Sequence, residues 1–484
     1  MRARERSRRI VSVLLTGVGA TLLGGCGGLL GPAPAWEEPA PAPVERPVVR
    51  EGAVSVRELP NGLRVLIHED HRLPRVVLGL TVRRGATGES PEDAGLASFT
   101  TELLERGAGD RDALAFAEVT DALGAGFGAA ADWDTMGASI SGLSRDFDTL
   151  VELLSDAVLR PRFDAREAER ARSQLLAAFE RAKDDPATLA RWNLAKAIYG
   201  DHRFGMPTAG SPESVEGFDA KRARAFHAKL FVPNGAILSV SGDVDPDAAF
   251  AAVKEAFGAW ERGSVIDPGA PPPSPSPAKR HIVVVDRPDL AQARINVGHD
   301  GIARTDDIRI PASLLNTVVG GGGFSSRLMS ALRAENEAGL TYSASSGFSL
   351  RRAPGPFGAA TFTRVEKVRE ALDILLAEIE RGRTEPPAED ELGWARTLAT
   401  GRFSMGLETA DAVTGALVDL DVHGLPADSL DTYRARVRDV TPEDVAAAAK
   451  QLLHPERIAI VLVGPAEAIV PQVEDLAPVE VVQP

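Results

Sequence analysis

The chain has 484 residues, 44% of them hydrophobic, and a formal net charge of −15. That length exceeds one ordinary hydrophobic core and points to two domains. The acidic balance argues against a nucleic-acid partner, whose phosphates it would repel, and otherwise reads as a solvated surface.

The first 25 residues pair a basic stretch, "MRARERSRR", with a short apolar run ending in small residues. This is the pattern of an export signal, too short for a comfortable membrane span. Cys26, the single cysteine, follows in "LGGC", which resembles the lipobox of bacterial lipoproteins. Cleavage before Cys26 and acylation of its thiol are expected; a plain secretory signal is the alternative. Loss of residues 1–25 removes five Arg and one Glu and takes the net charge from −15 to −19. Residues 26–50 are rich in Pro and Ala and read as an extended tether from lipid to the first domain.

Residues 51–265 read as the first domain. It opens with the strands "GLRVLIHED" and "VVLGLTVRRG". His68 and His71 lie at the end of the first of these, expected at an exposed hairpin end. Next comes an amphipathic helix, "GLASFTTELLERG", residues 95–107. Ser90-Pro91-Glu92-Asp93 has the residue types of a helix start. Leu96, Phe99, Leu103 and Leu104 form the apolar stripe, and Ser98 and Glu102 share the polar face with Thr101 beside them. A helix, a Pro-containing break and a second helix follow, then "FVPNGAILSVSGDVDPDAAFAAVKEAF", a strand, a turn and a helix. A Pro-rich linker is expected over 266–280.

The second domain, expected over 281–472 with a tail at 473–484, repeats this order. It begins with the strand "HIVVVDRP" and ends with "RIAIVLVGPAEAIV", and its helix–break–helix is "KVREALDILLAEIERGRTEPPAEDELGWARTLA". A duplicated α+β domain is the economical reading, since the strands come in groups rather than in strict alternation with helices. "GGGGFSSRLMSALRAENEAGLTYSASS", residues 320–346, carries the remaining motif, with Gly320–Gly323 expected as a loop before a helix.

Two stretches carry a resemblance to the insulinase and mitochondrial-processing-peptidase family, the inverzincins, covering about residues 54–470. The family's active helix reads G-L-A-H-x-x-E-H and then K/R-G. Gly95-Leu96-Ala97 and Arg106-Gly107 fit, but Ser98, Thr101 and Glu102 stand where the family has His, Glu and His. The third zinc ligand, a Glu before a D-N-P-like turn, corresponds by counting back from Pro186 to Ala178. Zinc needs about three ligands such as His or carboxylate, so the resemblance implies a degenerate site with no metal on this chain.

In the second half the resemblance is to G-G-x-x-S-R-L…L-R-x-x-x-G-L-x-Y-S. It assigns Arg333 and Tyr342 to substrate contact and transition-state stabilisation at a zinc held elsewhere, with two extra residues in "AENEAG". Arg327 is expected to be structural. The glycines Gly321, Gly322 and Gly323 match a loop that lies near substrate in related noncatalytic subunits.

The family fold implied is two homologous α+β domains, each a mainly antiparallel sheet backed by helices, closing as a clamshell. The leading functional expectation is a noncatalytic, substrate-binding subunit, inactive alone, of a heterodimeric zinc peptidase. It would bind peptides, pair with a zinc-bearing homologous subunit, and sit lipid-anchored at the periplasmic face of the outer membrane. A family-derived scaffold or binding protein is the second expectation, and an independent peptidase with a rebuilt metal site the third.

Overall fold

The computed structural model describes residues 47–50, 52–265, 277–334 and 339–484. The export signal, Cys26, most of the tether, most of the linker and residues 335–338 of the "AENEAG" stretch lie outside them.

The first half is built on six strands: β1 (Val54–Glu58), β2 (Arg64–Glu69), β3 (Arg75–Val82), β4 (Gly126–Ala131), β5 (Met136–Leu143) and β6 (Ala236–Gly242). They lie in the order β1-β2-β6-β3-β5-β4, and only β2 and β6 run parallel. The second half uses β7 (His281–Asp286), β8 (Gln292–Asp300), β9 (Ala344–Phe348), β10 (Pro356–Arg364), β11 (Ala459–Gly464) and β12 (Val479–Val482). Their order is β9-β10-β8-β11-β7-β12.

Read from the other edge, the second sheet repeats the first: its first and last long strands, β7 and β11, pair in parallel just as β2 and β6 do. The duplication therefore extends to topology, and both sheets are mainly antiparallel, as expected for the α+β reading. One position differs. The strand beside β2 comes from the N-terminal side and is antiparallel, whereas the strand beside β7 is β12, from the C-terminus, and is parallel. The segment 473–484, expected as a tail, thus carries an edge strand over Val479–Val482. Because β6 lies between β2 and β3, the segment after β2 is a crossover turn and not a hairpin end: His68 lies within β2 and His71 in the turn that follows it.

Burial along the strands follows from what covers them. β3, "RVVLGLTV", alternates buried and half-exposed residues as a strand with one core face should. β6, "AILSVSG", and β11, "AIVLVG", are nearly or wholly buried on both faces. A strand covered on both sides needs a continuous apolar run, and each half supplies the cover for the other. Helix α4 (Pro186–Tyr199) belongs to the first half, yet Leu189 and Ala190 pack on Val283, Val285, Val461 and Val463 of the second sheet. Helix α10 (Ala410–His423) belongs to the second half, and its Val418 and Val422 pack on Ile237 of the first sheet.

On the opposite face, α1 (Leu96–Leu104), α2 (Phe147–Leu159), α3 (Ala165–Ala182), α5 (Ala220–Leu230) and α6 (Pro246–Phe257) complete the first half's core. In the second half, α7 (Arg309–Asn316), α8 (Val368–Thr384) and α9 (Glu389–Met405) contribute to the corresponding core. No helix among the described residues is long and apolar enough to cross a membrane.

Candidate functional site

Helix α1 starts one turn later than its sequence signals suggest. Ser90 does accept from the Asp93 amide at 3.2 Å, with Pro91 following it, but this caps a separate 3-10 turn, Pro91–Asp93. Gly95 then turns the chain at φ +97, and α1 begins at Leu96. Its free amides go to Glu89, whose carboxylate accepts from Gly95 at 2.9 Å and Ala97 at 2.6 Å. Anionic oxygen at a helix N-terminus meets both the open N–H groups and the helix dipole. Arg203 donates to Glu89 at 2.8 and 3.0 Å, with both side chains almost fully buried. Its remaining N–H groups go to the carbonyls of Met206, Pro207 and Thr208.

The polar face of α1 is tied into this frame. Ser98 donates its hydroxyl to the Thr208 carbonyl at 3.1 Å. Thr101 is buried and donates back to the carbonyls of Ala97 and Ser98, at 3.1 and 3.0 Å. Glu102 is exposed and accepts from Arg106 one turn on, at 2.5 Å. Arg106 also reaches α3, donating to Gln174 at 2.7 Å and lying 3.5 Å from Glu167. Ala178 sits on α3 one turn beyond Gln174 and is exposed.

These residues do not fit zinc. Zinc takes His nitrogen, Cys sulfur or carboxylate oxygen. Ser98 and Thr101 spend their hydroxyls on backbone carbonyls, Ala178 has no donor atom, and the one carboxylate faces an arginine. Among the described residues no group of three or more His, Cys, Asp and Glu side chains could hold a metal ion. His71 is bound between Asp243 and Glu69 at 2.6 and 2.7 Å, and the His68 ring lies 3.2 Å from the Ala410 carbonyl under α10.

In the second half the structure brings Arg333 and Tyr342 together. The Arg333 guanidinium lies 5.1 Å from the Tyr342 ring centre and 4.8 Å from that of Phe324. Tyr342 is 72% exposed and Phe324 70% exposed, so the stack faces solvent. The Nη1 of Arg333 is nonetheless buried, without a hydrogen-bond partner among the described residues. Arg327 is structural, as expected. It grips Glu391 at 2.6 and 2.8 Å, and Glu391 in turn accepts from the Ala388 amide at the start of α9.

The glycine run departs from the expected loop. Gly320 and Gly321 continue α7 through a π-helical turn, Thr317–Gly321. A β-carbon on Gly322 would stand 2.1 Å from the Trp394 ring, and one on Gly320 2.5 Å from the Ser346 hydroxyl. Gly323 alone has open space, with φ +69. Close packing explains Gly320 and Gly322, and a left-handed turn explains Gly323.

Sequence reasoning missed the seam that joins the halves. The Trp133 ring lies between Arg203, at 5.0 Å, and Arg351 of the second half, at 4.3 Å. Asp134 accepts from the Arg352 amide at 2.8 Å, and its carboxylate is 3.4 Å from His423, which also meets Asp419 at 3.1 Å. Burial works against a charge on His423, but Asp134 and Asp419 outweigh it and hold its pKa up at about 9. "DWDT" at 132–135 carries no motif that announces this.

This is a duplicated α+β fold in which Ser98, Thr101, Glu102 and Ala178 do not make a zinc-binding set. The chain belongs to the insulinase family, peptidase family M16: residues 64–211 match the family's Insulinase (Peptidase family M16) domain, and residues 217–398 match its Peptidase M16 inactive domain. It is similar to an uncharacterized zinc protease of Streptomyces coelicolor, 28% identical over 86% of this chain and 90% of that one. An uncharacterized zinc protease of Bacillus subtilis is 23% identical over 80% of this chain and 96% of that one. A crystal structure of a peptidase M16 inactive domain from Pseudomonas fluorescens superposes with a TM-score of 0.79 at 29% identity, covering 85% of this chain and 98% of that one. A protease from Helicobacter pylori shares the fold at 18% identity, with a TM-score of 0.76 over 85% of this chain and 99% of that one.

Proposed function

We propose that this chain is a noncatalytic, substrate-binding subunit that works with a zinc-bearing homologous peptidase chain on peptides in the bacterial envelope. The observation that carries this reading is the contrast between the halves. The α1 face has its polar groups locked into Thr208, its own backbone and Arg106, whereas Arg333, half-buried and with an Nη1 that has no hydrogen-bond partner among the described residues, is stacked on a solvent-exposed Tyr342. A guanidinium and a phenol can both donate to a peptide carbonyl or to an oxyanion forming on it. In this reading zinc belongs to the partner, and Arg333 and Tyr342 complete its site. Lipid on Cys26 and residence at the periplasmic face of the outer membrane complete the proposal. They rest on the "LGGC" sequence and on Gly27 after it, in place of the Asp that often retains lipoproteins at the inner membrane.

A scaffold without a peptidase partner is the second reading. It is favoured by the same stack, since Phe324 and Tyr342 already engage Arg333 within the chain.

Turnover of a quenched peptide separates the two. The isolated chain should carry no stoichiometric zinc and show no chelator-sensitive cleavage; either one would overturn the noncatalytic reading. Cleavage should appear when this chain is mixed with its zinc-bearing homologue. Arg333→Ala and Tyr342→Phe should lower it by roughly 10- to 1000-fold, with complex formation on gel filtration unchanged. Arg333→Lys should rescue poorly, because a point charge lacks the guanidinium fork. No cleavage on mixing would leave the scaffold reading in the lead, and full activity in both variants would remove Arg333 and Tyr342 from the partner's site.

A further inference from the structure

A cavity of about 540 Å³ lies at the seam where the ends of β3, α5 and α10 meet the loop before β10. Among the described residues its wall carries Arg83, Arg84, Lys229, Arg352 and His423 against one carboxylate, Asp421. So dense a cationic lining stands out in a chain of net charge −15.

The nearby carboxylates are already taken. Asp421 pairs with Arg83 at 2.5 Å and with Arg64 at 2.8 Å. Asp134 and Asp419 hold His423, and Asp419 also holds Arg304. Among the described residues Arg84, Arg352 and Lys229 make no ion pair. Arg84 reaches only the Gly88 carbonyl, at 3.3 Å, and Arg352 only the Val422 carbonyl, at 3.1 Å. Both arginines are half-buried. Burial, and then repulsion from Arg352, push Arg84 below the ordinary arginine range. Arg352 feels Asp134, but that carboxylate already serves His423 and the Arg352 amide. Two neighbouring guanidinium groups with no carboxylate in direct contact are unfavourable when empty and favourable around an anion. A planar fork on each matches the paired oxygens of a carboxylate or phosphate.

We infer that this cavity is a binding site for a small oxyanion, a carboxylate or phosphate group held between Arg84 and Arg352 with Lys229 at its rim. Arg84 belongs to the first half and Arg352 to the second, so the bound anion ties the halves together. A ligand that binds only the folded chain raises its stability with concentration.

Inorganic phosphate and succinate, titrated separately into the full chain at ionic strength held constant with sodium chloride, test this through Tm. A saturable rise with phosphate alone assigns a phosphoryl ligand, and with succinate alone a carboxylate; with both, the site takes either. In each case Arg84→Gln and Arg352→Gln should raise the half-saturating concentration at least ten-fold. Lys229→Gln, at an exposed position, should raise it two- to five-fold and serves if either arginine variant fails to fold. A Tm that responds to neither anion beyond the chloride control overturns the site. So does a response that is unchanged in all the variants that fold.

Discussion

Glu89 fixes the start of the helix on which the family's catalytic residues would stand, and it does so from outside that helix. Its carboxylate caps α1 through Gly95 and Ala97 and is balanced by Arg203, 114 residues further along the chain. Breaking a buried pair by neutralising one partner leaves the other charge uncompensated, at a cost of about 3–5 kcal/mol. Glu89→Gln is therefore expected to lower unfolding stability in urea by about that amount, whereas Ser90→Ala, which frees only one exposed amide, should cost about 1 kcal/mol or less. Equal effects would show that Ser90 is the true cap. Both residues have the chemistry of a cap, and nothing local separates them: what decides is Arg203, whose place beside Glu89 exists only in the folded chain. What residue types stand on α1 and α3 is plain in the letters: Ser98 and Thr101 offer neutral hydroxyls and Ala178 no side-chain donor, where zinc takes imidazole, thiolate or carboxylate.

At the level of elements, the glycine run shows how a sequence signal can be right about the residue and wrong about the reason. Four consecutive glycines suggest a loop, because glycine is costly within a helix. Here the first two extend α7 in a π-helical turn, and Gly322 lets that turn pass the Trp394 ring on α9. Gly322→Ala should cost about 1–3 kcal/mol by overpacking, and pairing it with Trp394→Leu should recover part of the loss. Gly321 meets a softer neighbour, the Asn316 side-chain amide. A thermal melt in which Trp394→Leu gives Gly322→Ala no relief would place the constraint in the backbone instead. The strands were more legible. Alternation in β3 and the unbroken apolar runs of β6 and β11 are visible in the letters, but the source of their second cover, a helix from the other half, is not.

That exchange of helices makes the whole molecule less divisible than its duplicated sequence suggests. The Pro-rich stretch lies between the last element of the first sheet's half and the first strand of the second, yet α4 covers the second sheet and α10 covers the first. Expressed alone, residues 47–265 would leave the Ile237 face of β6 bare, and residues 277–484 would expose Val283, Val285, Val461 and Val463. Each piece is expected to aggregate or to melt without a cooperative transition, and the two co-expressed should form a 1:1 complex. Either half folding alone as a cooperative monomer would show that the exchanged helices are dispensable. The seam also gives that complex a pH dependence. His423 has a folded pKa raised to about 9, above the free value of about 6.5. Its contribution is therefore fully present below about pH 6.5 and is lost as pH rises through about 9. Association of the halves should weaken by roughly ten-fold from neutral pH to pH 10 as the proton that favours contact with Asp134 leaves. His423→Gln should flatten the profile. An equal alkaline weakening in that variant would assign the effect to the lysines and tyrosines instead of to the seam.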